Sequence, residues 1–463
     1  MSGPVAVLGN GPDALVAALA LARAGREVVL IESVPAPLMR EGWIAPPVLR
    51  LLAGAVEGLR VERPDPWLET LLPDGSRLAL WRDMNKTIES IAQISPADAR
   101  AWPAFCARLA RVAGMLEVLY QQRAPDPLTT RARDLWQLAR LALKLRAGGR
   151  TTVEDTLRTL PMPLADLLDD YFESPALKAA LAGGGLVDAF AGPRSAGTAL
   201  GLVHRHVGLP AGVFRPDRSN LGEVLARAVA AESRIVRRTG STLRIDVHAG
   251  RIAGVTLADG RVFEAAAVVS GLSPANTLLD LVDPVWLDPA VARALTHVRT
   301  RGVRAEIGLR LAQDADFQRL NLAPTLDAIE RAFDDAKYGR LSAAPWMEVI
   351  AGNGRDVRVQ LQYLPRGAGV EAGALGVRVQ TALASLPGFA GAEVTAVELP
   401  EDRSDPAELC LDQHLWMRPL PQLARHATPV QGLWLCGSSM HPGPGVQGMS
   451  GWLVGEGILG GRG

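Results

Sequence analysis

Lysine is scarce in this 463-residue chain: of 49 basic residues only Lys86, Lys144, Lys178 and Lys337 are not arginine. That imbalance reads as the codon usage of a GC-rich genome and carries no chemistry. An excess of either charge is missing as well. The 49 acidic residues cancel the 49 basic ones, which excludes a broad electrostatic grip on nucleic acid. Cysteine is limited to Cys106, Cys410 and Cys436, an odd number without metal-ligand spacing. A disulfide scaffold is thereby excluded, and a reducing compartment fits. No apolar run approaches the roughly 18–20 residues of a spanning helix. The first residues lack the charged start and cleavage site of a signal peptide, so the expected location is the cytoplasm. What is present, 48% hydrophobic and 21% charged residues, is enough for one large folded domain or two to three ordinary ones.

The most informative segment comes first. Val5–Leu8 is a short apolar run suited to a buried parallel strand. Gly9-Asn-Gly11-Pro-Asp-Ala14 follows, then a helical pattern to Arg23, then Gly25 at the usual left-handed position past a helix end. A second apolar strand, Val28–Ile31, ends at Glu32, 23 positions after Gly9. The result is a βαβ opening with a G-x-G-x-x-A fingerprint. Gly9 permits the tight turn, and Gly11 lets a pyrophosphate approach the backbone. Ala14 keeps helix and strand close, the helix N-terminus faces the phosphate charge, and Glu32 accepts from ribose hydroxyls. The alternative is a glycine turn in an ordinary α/β protein. Strand, helix and terminal glutamate in register argue against it.

The next hundred residues leave that rhythm. Trp67–Thr70 and Arg77–Trp81 flank Leu72-Pro-Asp-Gly75, a hairpin signal. Helical patterns run from Thr87 to about Arg150 with a break near Pro125 and Pro127, then through Val153–Asp169 and Ala176–Leu181, where Gly183-Gly-Gly185 marks a turn. After a helix at Leu221–Ala230, short strands return at Arg234–Arg237, Thr242–Val247, Ile252–Leu257, Arg261–Ala265 and Val268–Ser270. A mixed region follows, with strands at Arg304–Leu311, Trp346–Ile350 and Val357–Tyr363 and helices at Leu326–Ala336 and Leu375–Ser385. Near the end, strand Gly432–Cys436 enters Gly437-Ser-Ser-Met-His-Pro-Gly-Pro-Gly445, and Val446–Leu459 reads as helix. This strand, glycine loop and helix can bring a second helix N-terminus to a cofactor, or can be a plain structural turn.

Taken together, the two ends resemble the phytoene-desaturase-like branch of the FAD-dependent amine oxidase and desaturase superfamily. The resemblance covers most of the chain. It is carried by Gly9–Ala18, Leu72–Arg82, Arg331–Ser342, Leu411–Pro419 and Leu433–Val446. It implies an α/β fold, with an FAD-binding Rossmann-like domain assembled from discontinuous segments plus an α+β substrate or cap domain. The expected boundaries are 1–60, 215–300 and 425–463 for the first and 61–214 and 301–424 for the second. The small antiparallel meander after residue 240 fits an insertion common in such proteins. The reaction implied is hydride removal from a C–C or C–N bond of an apolar, isoprenoid or lipid-like small molecule, or an isomerisation on bound flavin. Carried over by position, Gly9, Gly11, Ala14 and Glu32 hold the ADP half. Leu243 meets the adenine through its backbone, and Gly437, Gly445 and Val446 lie at the flavin. Relatives carry an arginine and paired glycines soon after the ribose glutamate. Here Arg40 stands in for the arginine and the glycine pair is absent. Pro444 also interrupts a run that is commonly all glycine, removing a backbone donor. These departures keep a second function class open: a non-catalytic, flavin-free relative serving as a binding or partner subunit.

Residue chemistry adds little that is decisive. His441, in the glycine loop, is the candidate catalytic group, either shuttling a proton or simply bonded to backbone. Arg418 could fork onto a carboxylate or phosphate, or serve an internal ion pair. His204 and His206 share one face only in a strand, and no third metal ligand is nearby. Cys436 reads as a small buried apolar residue. No second dinucleotide fingerprint is seen, so no nicotinamide site is expected. The stretch Arg131–Arg150 holds six basic residues against Asp134, interleaved with leucines and Trp136. Docking on an anionic membrane surface and an ordinary cap helix are its two readings.

Overall fold

A computed structural model describes residues 3–32, 41–54, 57, 59–72, 74–125, 132–186, 189–215, 221–367, 369–399 and 408–460. Its centre is a five-stranded parallel sheet in the order Leu433–Leu435, Ala267–Ser270, Val5–Leu8, Val28–Glu32, Ile235–Thr239. The strands Leu433–Leu435, Ala267–Ser270 and Val5–Leu8 are buried along their length because the sheet is covered on both faces, which explains their near-continuous apolar sequences. On one face lie the opening helix (Pro12–Arg23), the closing helix (Met449–Leu459) and Leu221–Ala230. The other face is covered by an antiparallel meander, Thr242–His248, Arg251–Leu257 and Val262–Glu264, through Ile245, Val255 and Leu257.

A seven-stranded mixed sheet forms the second half. Its order is Glu393–Glu398, Gly302–Arg310, Asp356–Pro365, Met347–Ala351, Arg319–Asn321, Leu68–Leu71, Arg77–Leu80. One face is apolar: Ile307, Leu309, Val349, Val359 and Leu361 pack with Leu375, Val379 and Leu383 of the helix Ala372–Leu383. A helical layer completes this half. It includes the long helix Pro96–Tyr120, capped by Ser95, and the pair Pro175–Leu186 and Thr198–His206. The architecture is thus α/β, a Rossmann-like half beside an α+β half. Among the described residues no helix is long and apolar enough to cross a membrane.

The hairpin at Leu68–Leu80 and the helix Leu221–Ala230 match the sequence reading. Two local expectations do not hold. Gly183-Gly-Gly185 is no turn, because the helix continues to Leu186. The glycines are there for contact: a Cβ on Gly201 would lie 2.2 Å from the Gly185 carbonyl oxygen, and one on Gly185 would lie 2.9 Å from Leu202 Cβ. The closing helix begins only at Met449, after left-handed Gly448, since Val446–Gln447 pairs in parallel with Trp43–Ile44. His204 and His206 stand on a helix, where two residues apart means nearly opposite sides. The short strands Arg319–Asn321 and Glu393–Glu398 had no sequence signal of their own.

The helix crossing makes a sharp stability test. Gly201→Ala must push its partner helix away and is expected to cost about 2–4 kcal/mol in urea unfolding. Gly184→Ala, whose Cβ would meet only Leu202 Cδ1 at 3.8 Å, should gain about 0.5–1 kcal/mol. Equal effects at the two positions would contradict the packing.

Candidate functional site

Three neighbouring strands of the parallel sheet end in glycine on the same edge. Gly9 follows Val5–Leu8 at φ +105°, Gly271 follows Ala267–Ser270, and Gly437 closely follows Leu433–Leu435 at φ +109°. They are stitched together by backbone bonds: Gly9 N–H to Ile31 O at 2.8 Å, Gly271 N–H to Leu8 O at 2.8 Å, and Cys436 N–H to Ser270 O at 2.7 Å. A Cβ on Gly271 would lie 2.8 Å from Ala14 Cβ and 3.0 Å from Leu8 O. Gly271 and Ala14 therefore require each other's small size. Gly11 caps the opening helix, whose N-terminus points at this edge, so Gly9, Gly11 and Ala14 meet as the fingerprint demands. Gly271 was missed in the sequence; the available signal was a glycine closing the apolar run Val268–Ser270.

Glu32 sits at the end of its strand, and Arg237 from the neighbouring strand forks onto its carboxylate, at 2.8 and 2.9 Å. Gly240 N–H donates to Glu32 O at 3.1 Å, which brings the start of the meander beside it. Leu243, three residues on, is exposed. Asp13 also lies here and was not foreseen. Its Oδ1 accepts from Gly451 N–H at 3.3 Å, in the first turn of the closing helix. Desolvation pushes its pKa up to about 6 against those backbone donors. A Cβ on Gly451 would stand 1.8 Å from Asp13 O, so the two helix starts are in backbone contact.

The closing glycine loop runs from Gly437 to Gly445. Gly437 N–H donates to Ser450 Oγ at 3.2 Å. At the far end Gly445 O accepts from Trp43 N–H at 2.8 Å, and a Cβ on Gly42 would fall 2.1 Å from that oxygen. Val446 is buried beside Trp43. Arg40 lies outside the described residues. Arg418 is fully buried, and its guanidinium donates to the carbonyls of Ser438 at 2.9 Å and Gln413 at 3.2 Å. It pins the loop from within.

Behind the loop lies an aromatic and histidine cluster. His441 is fully buried, and its Nε2–H donates to Leu119 O at 3.2 Å, at the end of the long helix. Its Nδ1 has no hydrogen-bond partner among the described residues. Burial lowers its pKa to about 4, so the ring is neutral at pH 7. It is bonded to backbone, and it packs against Tyr120 and Trp416. His414 and His426 are buried nearby, with pKa values lowered by burial to about 3. The Cys436 thiol, also buried, is pushed well above its ordinary value.

A charged chain joins this loop to the second sheet. Glu41, next to Gly42, pairs with Arg319, whose second nitrogen reaches the fully buried Glu348 at 3.2 Å. Burial alone would raise the Glu41 pKa, yet Arg319, Arg205, Arg215 and Arg304 hold it below the ordinary value. Asn321, Glu348, Gln360 and Glu306 form a row across four strands on the face away from the apolar core. Glu348 Oε1 and Gln362 Nε2 are buried without a hydrogen-bond partner among the described residues. At the open end of the row is a cleft of about 330 Å³ lined by Glu306, Arg358 and Glu398. Sequence reading missed this face, because its residues come from four separate strands and only their pairing aligns them.

No family model matches the chain. Over 461 aligned residues it is 27% identical to pyridine nucleotide-disulfide oxidoreductase domain-containing protein 2 of Mus musculus, covering 85% of this chain and 79% of that protein. The Rattus norvegicus protein of the same name is 26% identical over the same shares. Among solved structures, an oxidoreductase from Methanosarcina mazei is similar at TM-score 0.61 and 14% identity, covering 99% of this chain and all of that one. A putrescine oxidase variant follows at 0.57 and 13%, covering 99% of both. Cyclohexylamine oxidase from Brevibacterium oxydans IH-35A is at 0.55 and 13%, covering 99% of this chain and 98% of that one. The fold is that of amine-oxidase-type FAD oxidoreductases, which supports, at the level of that superfamily, the resemblance drawn from the two ends of the sequence.

The buried histidines set an acid limit on the fold. His414, His426, His441 and also His206, the last at about 4, have folded pKa values below the ~6.5 of an unfolded histidine. As pH falls below about 6.5 the unfolded chain takes up protons that the folded chain refuses, so stability is lost. Each histidine contributes about 1.4 kcal/mol per pH unit. Asp13, with a raised pKa, works the other way between about 6 and 4 and offsets one of the four. The expected urea stability is flat from pH 8 to 7 and falls by at most about 4 kcal/mol per unit between pH 6 and 4. His426→Asn should make that slope shallower; an unchanged slope would show that the histidine is not held neutral.

Proposed function

We propose that this chain is an FAD-dependent oxidoreductase. The observation that carries the reading is the triple glycine edge, Gly9, Gly271 and Gly437, beside the N-terminus of the opening helix. A bare backbone edge with a helix N-terminus suits a pyrophosphate, and side chains there would exclude it. The residues present fit the group. Gly9, Gly11 and Ala14 would hold the pyrophosphate, Glu32 the ribose, and the backbone near Leu243 the adenine. Gly437, Gly445 and Val446 would border the flavin. Bound FAD supplies hydride acceptance from a C–C or C–N bond; the chain supplies position and field. Arg237 fixes the Glu32 carboxylate in one orientation, leaving lone pairs for ribose hydroxyls. His441, neutral and bonded to backbone, would shape the loop more than move protons.

For the substrate, the resemblance favours an apolar, lipid-like molecule, while the covered face of the second sheet carries Arg319, Glu348 and Gln362. An amphiphile, with a polar head for that face and an apolar remainder, reconciles the two. One observation favours the non-catalytic reading instead. Asp13 already places a carboxyl at the start of the closing helix, where a flavin would otherwise put its negative charge. The visible spectrum separates the readings. Purified protein incubated with FAD should show bound-flavin absorption, and Gly11→Val should abolish it. NADH or NADPH should not reduce that flavin quickly, because only one dinucleotide fingerprint is present. Protein that stays colourless after loading would make this a flavin-free partner subunit.

The helix Ala132–Ala147 is proposed as a reversible dock on anionic lipid, the route for such an amphiphile. Trp136 is 66% exposed and Leu143 61%, alongside exposed Arg140 and Arg146. Each basic side chain near an anionic surface is worth about 1 kcal/mol and is screened by salt. Flotation with phosphatidylserine vesicles should show binding that weakens with salt and with Arg140→Gln plus Arg146→Gln. Equal binding to neutral vesicles, or none at low salt, would leave an ordinary cap helix.

A further inference from the structure

The function proposed above leaves two buried polar side chains without a task. Tyr120, the last residue of the long helix, and His204 are 1% and 4% exposed. Tyr120 Oη lies 2.7 Å from His204 Nδ1, and His204 Nε2 lies 2.7 Å from the carbonyl oxygen of Pro444. A carbonyl can only accept, so Nε2 carries the proton; in the neutral ring Nδ1 then accepts from the tyrosine hydroxyl. His204 thus donates to the glycine loop, and its other ring nitrogen is occupied by the Tyr120 hydroxyl, which in the neutral ring is the donor. His206 takes no part in this chain of bonds, since it stands on the other side of the same helix.

The consequence lies one bond further on. The Pro444–Gly445 peptide is trans, so its N–H points away from its carbonyl. With Pro444 O held by His204, the Gly445 N–H is turned to the opposite side. The next peptide is fixed too, because Gly445 O accepts from Trp43 N–H at 2.8 Å and side-chain-free Gly42 lies against it. Gly445 takes φ +84°, a conformation that glycine adopts without strain. Among the described residues its N–H has no acceptor, although Gly445 is half-buried. A fixed amide with an open donor side is a preorganised site for an acceptor atom.

We propose that Tyr120 and His204 are positioning residues that lock the Pro444–Gly445 peptide so that the Gly445 N–H is presented to an acceptor of the bound flavin. This rests on the FAD reading above, and the experiment separates the two. In the ligand-free protein, hydrogen–deuterium exchange of the peptide covering residues 437–447 reports the lock alone. His204→Leu should speed that exchange, and His204→Gln, which keeps a donor, should restore much of the protection. In protein loaded with FAD, His204→Leu should weaken FAD binding roughly tenfold, the loss of one well-placed hydrogen bond, and should shift the flavin absorption band. Tyr120→Phe should move both readouts the same way but less, because the Nε2–H bond survives. If His204→Leu fails to fold, the Gln and Phe variants carry the comparison. Unchanged exchange, or faster exchange with wild-type FAD affinity and spectrum, would overturn the proposal while leaving FAD in place. Wild-type protein that takes up no FAD would overturn both.

Discussion

Backbone pressed against backbone is the constraint on which the rest of this molecule depends. At Gly451 against Asp13, at Gly42 against Gly445 and at Gly271 against Ala14, a single added methyl would stand 1.8–2.8 Å from its neighbour. The first contact brings together the starts of two helices that are separated by more than 400 residues. The second ties the closing glycine loop to the strand Trp43–Ile44, and the third draws the opening helix onto the sheet edge. Close approach of this kind aligns peptide dipoles and leaves room for nothing larger than hydrogen. It therefore creates a bare polar edge and consumes the glycines that the sequence spends there.

The second half adds electrostatics to that frame. Its sheet is amphipathic, with an apolar face under the helix Ala372–Leu383 and a face of paired charges opposite. Burying ions is costly, so each is matched: Arg319 bridges Glu41 and Glu348, and Arg304 and Arg358 both reach Glu306. Because Glu41 adjoins Gly42, this network reports directly on the position of the glycine loop. Site and scaffold are mechanically continuous here.

The histidines illustrate the same economy on the other side of the loop. Rings that would be charge carriers in water are kept neutral by burial and used for hydrogen-bond direction. His204 and His441 brace opposite ends of one short segment, through Pro444 and Leu119. The loop is held by side-chain donors because Pro444 cannot supply a backbone one.

The sequence by itself determined the elements whose code is local. The run from Val5 to Glu32, the hairpin around Gly75, the helix Leu221–Ala230 and the strand entering Gly437 were legible because each is encoded by neighbours along the chain. The fingerprint glycines, Ala14 and Glu32 were legible for the same reason. Tertiary structure alone decided what depends on partners distant in sequence. Gly183–Gly185 looks like a turn until another helix needs the space. Val446 looks helical until Trp43 offers a strand, and Glu348 looks like solvent-facing charge until pairing buries it. Asp13, Gly271 and the Tyr120–His204–Pro444 bonds belong to this second class. Their meaning is a distance between segments, and a distance of that kind is written only in the fold.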